Sequence, residues 1–156
     1  MAGSRSPGLA AVLGHVERQV SRRLDETLAP ERLTVDQWRV LDLLADGHGY
    51  TMSVIGAAIA VPGATLTKLA DRLVDAALVY RVVDESDRRR VLVHMSALGR
   101  EVHERLRPLV DRIDAEILAP LGEHGPTLLQ LLNSLAAPTL PQSVSTSRSH
   151  AARADR

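Results

Sequence analysis

Apolar residues recur every three or four positions along most of this chain, and the rhythm breaks in one place. From Leu78 to Met95 it gives way to two short β-branched runs, Leu78–Val83 and Val91–Met95, around the charged stretch Asp84–Arg90. Two such runs about a polar loop predict a β-hairpin set among helices. That break constrains the fold more than any other feature.

Ahead of it, Leu9, Val12, Leu13, Val16, Val20, Leu24 and Leu28 form one stripe of an amphipathic helix that Pro30 ends. Thr34 with Gln37 three residues on has the form of a capping box and opens a second helix carrying Val35, Trp38, Val40, Leu41 and Leu44. Gly47 and Gly49 close it. Thr51 or Ser53 starts a short third helix through Met52, Ile55 and Ile59. Pro62, placed in a first helical turn, starts a fourth with Leu66, Leu69, Ala70, Leu73 and Val74 inward. Beyond the hairpin, Ser96 caps a long helix with Leu98, Val102, Leu106, Leu109, Ile113 and Ile117 as its stripe and an expected kink at Pro108. A last helix holds Leu128, Leu129, Leu131, Leu132 and Leu135. From Pro138 onward Ser, Thr, Pro and Arg leave almost nothing to bury, and disorder is expected.

The expected class is mainly α with a small β-hairpin wing: a winged helix-turn-helix with additional helices at both ends. The first and last helices are too apolar for the surface of a 156-residue domain. A second copy is their expected cover, giving a two-fold homodimer. The chain divides accordingly into a flexible start (1–8), an N-terminal dimerisation helix (9–33), the winged helix-turn-helix (34–95), C-terminal dimerisation helices (96–137) and a disordered tail (138–156).

Composition narrows the possible functions. Basic and acidic residues tie at 19 each, so no global charge advertises a polyanionic partner. With no cysteine, disulfides, thiolate zinc sites and thiol redox switches are excluded. No apolar run approaches the roughly 20 residues of a membrane span, and the opening residues lack the apolar core of a signal peptide. A cytoplasmic protein with no membrane partner is expected.

The informative surface is the outer face of the fourth helix. Opposite its leucines stand Thr65, Lys68 and Arg72 at i, i+3 and i+7, with Thr67 and Asp71 beside them. Gly63 and Ala64 at its start are small enough for a duplex to approach. Hydroxyls reach phosphates or base edges, Lys brings a point charge, and Arg grips guanine O6 and N7 bidentately. A solvated helix face has the same spacing, so this helix alone does not decide. The hairpin tip adds weight: Asp87 precedes Arg88, Arg89 and Arg90, and an arginine on a projecting arm suits a narrow, strongly negative minor groove. Asp87 is expected to orient one guanidinium by a charge-assisted pair. A charged hairpin edge that blocks sheet association is the plainer explanation of the tip by itself. From Pro62 to Arg90 six basic residues face five acidic ones, so placement rather than bulk charge must carry affinity.

These residues resemble the MarR family of regulators. Leu33–Leu41 is similar to the family's second-helix opening, Leu69–Val74 running into Leu78–Arg81 to its recognition helix and wing entry, and Asp87 with Arg89 to its D-x-R wing motif. Val93–Arg100 resembles the strand that enters its long dimerisation helix. The resemblance spans about residues 9–136. It implies a homodimer on double-stranded DNA with a pseudo-palindromic operator, and repression relieved by a small ligand. It also implies that Thr65, Thr67, Lys68 and Arg72 meet the major groove and Arg89 the minor groove, with Asp87 bracing the wing. Two departures stand out. Ala77 replaces the usual glycine at the recognition-helix exit, and Val54 replaces a commonly acidic residue.

Members that bind aromatic or phenolic acids do so between the wing region and the dimer helices. On that pattern Trp38, His15 and Arg22 are the candidate effector contacts, although Trp38 also lies in the core stripe. A metal site from His94, Glu101, His103 and Glu104 is disfavoured, because adjacent helical residues do not share a face. No nucleophile with its base, and no phosphate-cradling glycine loop, is present; neither an enzyme nor a cofactor is expected. The competing reading is a winged-helix dimer serving as a protein-interaction module with a degenerate DNA face, for which Asp71, Asp75 and Val54 speak.

Overall fold

The computed structural model describes residues 7–136. The expected tail, 138–156, and most of the expected flexible start lie outside the described residues. The elements run α1 (Leu9–Leu28), α2 (Val35–Leu44), β1 (Tyr50–Thr51), α3 (Met52–Ile59), α4 (Gly63–Asp75), β2 (Val79–Val83), β3 (Val91–Met95), α5 (Ala97–Leu118) and α6 (His124–Ala136).

Local chemistry fixes most boundaries. Thr34 Oγ1 accepts from the Gln37 N–H while Gln37 Oε1 accepts from the Thr34 N–H at 2.9 Å, so both halves of the capping box form. Thr51, not Ser53, caps α3 by accepting from the Val54 N–H. Ser96 caps α5, its hydroxyl accepting from Gly99 N–H at 2.9 Å. Pro62 is one position earlier than expected and serves as the N-cap of α4. Pro30 sits in a 3-10 turn, Ala29–Glu31, that follows α1. Helix α5 runs unbroken through the exposed Pro108.

The sheet has three strands in the order β1-β3-β2, all antiparallel. Strands β2 and β3 pair from Val79↔Met95 to Val83↔Val91 and form the expected hairpin. The third strand, two residues long, pairs Tyr50 with Val93 and escapes any periodicity test. Helices α3 and α4 meet at 108°, a helix-turn-helix angle.

One core joins α2, α3, α4, the sheet and the inner face of α5 through Leu41, Leu44, Ile55, Leu66, Leu73 and Val93. In α5 the inward residues are Gly99, Val102, Leu106, Val110 and Ile113. Leu98 and Leu109, expected in that stripe, are exposed. They belong to a second apolar side, because α5 has apolar residues on more than one face. The half of α1 before Val20 also turns Leu9, Val12, Leu13 and Val16 outward, and α6 buries only Gly125 while exposing Leu128, Leu129, Leu131 and Leu135. Among the described residues no single helix is long and apolar enough to cross a membrane.

Candidate nucleic-acid interface

Helix α4 is held by one face and open on the other. Leu66, Leu69, Ala70 and Leu73 are buried, whereas Thr65, Thr67, Lys68 and Arg72 are exposed together. The N-cap Pro62 offers no side-chain acceptor, so the first N–H groups of the helix face outward unpaired by a cap. A Cβ at Gly63 would meet nothing within 4 Å. Packing does not require glycine there, and exposed Gly63 and Ala64 leave the helix start low. Thr67 donates its hydroxyl to the Gly63 carbonyl at 3.0 Å and keeps its lone pairs for an outside donor. Among the described residues neither Lys68 nor Arg72 forms an ion pair.

The acidic neighbour is dealt with inside the protein. Arg81 on β2 donates to Asp71 Oδ1 at 2.7 Å, tying the middle of α4 to the wing. Sequence reasoning counted Asp71 against an anionic partner and missed this pair, since ten residues and a turn separate the two. Of the other two objections, Val54 is half-buried and packs on the core, while Asp75 is exposed at the end of the helix.

The exit from α4 shows why Ala77 matters. Ala77 N–H donates to Val74 O at 2.8 Å and Leu78 N–H to Leu73 O at 2.9 Å, the paired bonds of a Schellman ending. Ala77 itself has φ 57°, the left-handed region where a Cβ costs about 1 kcal/mol. The helix ends as a glycine would end it, with alanine bearing the strain.

At the wing tip Asp87 acts differently from expectation. Its Oδ1 accepts from the Arg89 backbone N–H at 3.0 Å, and its carbonyl accepts from Arg90 N–H at 2.8 Å. Asp87 therefore shapes a tight turn with Arg88 and Arg89 at its two central positions, rather than pairing with a guanidinium. The nearest guanidinium pair is Arg90 with Asp84, loose at 3.9 Å. Asp84 is also held by the Ser86 hydroxyl at 2.6 Å, a bond that keeps its carboxyl below the ordinary range. Arg88 and Arg89 remain exposed at the tip.

The candidate effector residues do not converge. Trp38 is 3% exposed and lies flat on His103, ring centroids 4.9 Å apart and planes 8° apart. His15 is exposed and bonded to the Gln19 amide at 2.9 Å, and Arg22 is exposed. Among the clefts on the described surface, two bear on this question. One of about 520 Å³ is lined by Arg39, Asp42, Leu43 and the end of α3; one of about 320 Å³ lies between Thr51, Val54 and the wing strands. None of the three candidates lines either. Of the histidines weighed for metal, His103 bonds Asp42 and His94 stacks on Tyr80.

With this geometry in place, likeness to known proteins is specific. The MarR family model matches residues 33–90. A putative transcriptional regulatory protein for the hcr operon of Thauera aromatica is 30% identical over 120 residues, covering 76% of this chain and 70% of that one. A variant of MarR from E. coli complexed with operator DNA superposes with a TM-score of 0.72 at 27% identity, covering 83% of this chain and 94% of that one. NadR in complex with 4-hydroxyphenylacetate superposes with a TM-score of 0.75 at 26% identity, covering 87% and 97%.

Proposed function

The chain belongs to the MarR family of transcriptional regulators, and from that premise we propose a two-fold dimer that binds a pseudo-palindromic duplex as a repressor and lets go when a small aromatic or phenolic ligand binds. In this reading Thr65, Thr67, Lys68 and Arg72 enter the major groove, with Gly63 and Ala64 allowing close approach. Arg89 enters the minor groove, and Arg88 and Arg90 lie near the backbone. Asp87 holds the turn that presents them. The single observation that carries the reading is the open face of α4: Lys68 and Arg72 stand exposed and, among the described residues, outside any ion pair, on a helix whose other face is locked into the core.

Two further facts support it. The objection from Asp71 loses force once that carboxylate is occupied by Arg81. The structural neighbours include one complexed with operator DNA and one with an aromatic acid. The dimer draws its support from the uncovered leucines of α1 and α6, and places two readers about 34 Å apart on successive turns of B-form DNA.

A mobility-shift titration against the DNA flanking its own gene, at two salt concentrations, tests the proposal. Binding should exceed that to random duplex by about 10³-fold or more. Equal affinity for both would instead favour the protein-interaction module. For the ligand, aromatic carboxylates that bind the folded state should raise the melting temperature and weaken the shift.

A further inference from the structure

The half of the molecule bearing α4 and the wing shares an apolar core with α5 and is tied to it by directional polar or steric contacts at two places. At the first, the Ser96 N–H donates to the Leu78 carbonyl at 3.0 Å, and a Cβ on Gly99 would strike that same carbonyl oxygen. This contact fixes the start of α5 within one helical turn, whereas the apolar row that follows it, Val102, Leu106, Val110 and Ile113, packs without directional bonds, so the start of the helix can serve as a pivot. The second place lies one and two turns further along α5. There Asp42 Oδ1, on α2, accepts from His103 Nε2 and from Arg107 Nη1, each at 2.8 Å. Arg107 reaches on through Nη2 to Asp111 at 2.8 Å. Trp38, one turn before Asp42, covers the His103 ring. Two residues of α2 thus grip two of α5, and one carboxylate oxygen is the node of both polar bonds.

The lever is long. Helix α5 has 22 residues, about 33 Å, so rocking by about 10° at the pivot sweeps its far end through about 6 Å. That is more than the ~3.4 Å between successive base pairs. We propose that Asp42 is a positioning residue for DNA binding: it fixes the angle between the reading half and α5 and thereby the separation of the two recognition helices. This inference rests on the DNA-binding reading above.

The test uses the full chain and a two-fold duplex that it selects from a random pool, with two derivatives having one base pair added or removed between half-sites. Asp42→Asn should shrink the preference for the selected spacing by about fivefold or more, with the dimer mass and the salt slope of binding unchanged. Arg107→Gln, at a more exposed position, should shift the preference in the same direction by less, and it decides the matter if Asp42→Asn does not fold. A uniform loss of affinity on all three duplexes, or no change, overturns the brace. If the unaltered protein selects no two-fold duplex, the DNA-binding reading fails first and takes the brace with it.

Discussion

The reading half and the terminal helices of this molecule are built to different standards of completeness. From α2 to β3 the large apolar side chains are covered except on the wing strands, where Tyr80, Val82, Val83 and Val91 are exposed; the helix starts of α2 and α3 are capped, and the charges stand outside. In α6 the reverse holds: a 13-residue helix buries one glycine and leaves Leu131 and Leu135 60% and 68% exposed. The first half of α1 is no better covered. A monomer rarely keeps so many large apolar side chains in water on two helices. On the proposed reading, recognition chemistry resides in a single chain while the geometry that makes it specific requires two.

The largest predicted effect breaks that division directly. Leu13→Glu with Leu129→Glu should convert the dimer to monomer by light scattering, with the far-UV helical signal of the reading half retained. Specific DNA affinity should fall to the non-specific level, a loss of about 10³-fold or more. A charged pair of substitutions that left both dimer and specific binding intact would show that these helices are complete without a second copy. The next effect lies within the reading half. Arg72→Ala should cost about 1–3 kcal/mol of specific affinity, roughly 5- to 150-fold, and relax discrimination at one base position. Arg89→Ala should act mainly on the electrostatics, lowering the salt slope by about one unit. An unchanged slope would remove Arg89 from the duplex.

What the sequence makes legible follows the range of the interaction. Features set by near neighbours in sequence could be read in advance: the Thr34–Gln37 box and the Ser96 cap within four residues, and the hairpin over a somewhat longer span. The outward set on α4 was legible for the same reason, because helical periodicity is local. Three things were not. The Asp71–Arg81 and Asp42–His103–Arg107 groups join residues that only the tertiary fold brings together. Strand β1 has two residues and takes its identity from β3. The division of α5 into an inner stripe and an outer one was also hidden: Leu98 and Leu109 are as apolar as Leu106, and which of them is covered depends on where α1 and α2 lie.

Smaller effects sharpen the contrast by testing stability within each region. Ala77→Gly should stabilise the protein by about 0.5–1 kcal/mol, since the left-handed φ at that site penalises a Cβ by more than glycine loses in unfolded-chain entropy. Chemical denaturation would read it as a higher midpoint at constant slope. Because the gain arises in the reading half, it should not alter the dimer dissociation constant.

The smallest effect belongs to α5. Asp114 has its carboxyl pushed above the ordinary range, first by burial, which strips water from the charge, and then by Asp111 and Asp42; Arg107 opposes the shift. A carboxyl raised on folding takes up a proton more readily in the folded state. Its ionised form therefore costs stability above the raised pKa, and the cost disappears as pH falls below the unfolded value. Asp114→Asn should raise the melting temperature near neutral pH by about 1–2 °C at most, the site being partly open to solvent. The gap should close as the unaltered protein is taken down into the carboxylate range. A gap that stayed constant from neutral pH to pH ~4 would mean the substitution acts through packing, and that Arg107 already balances the three carboxylates around it.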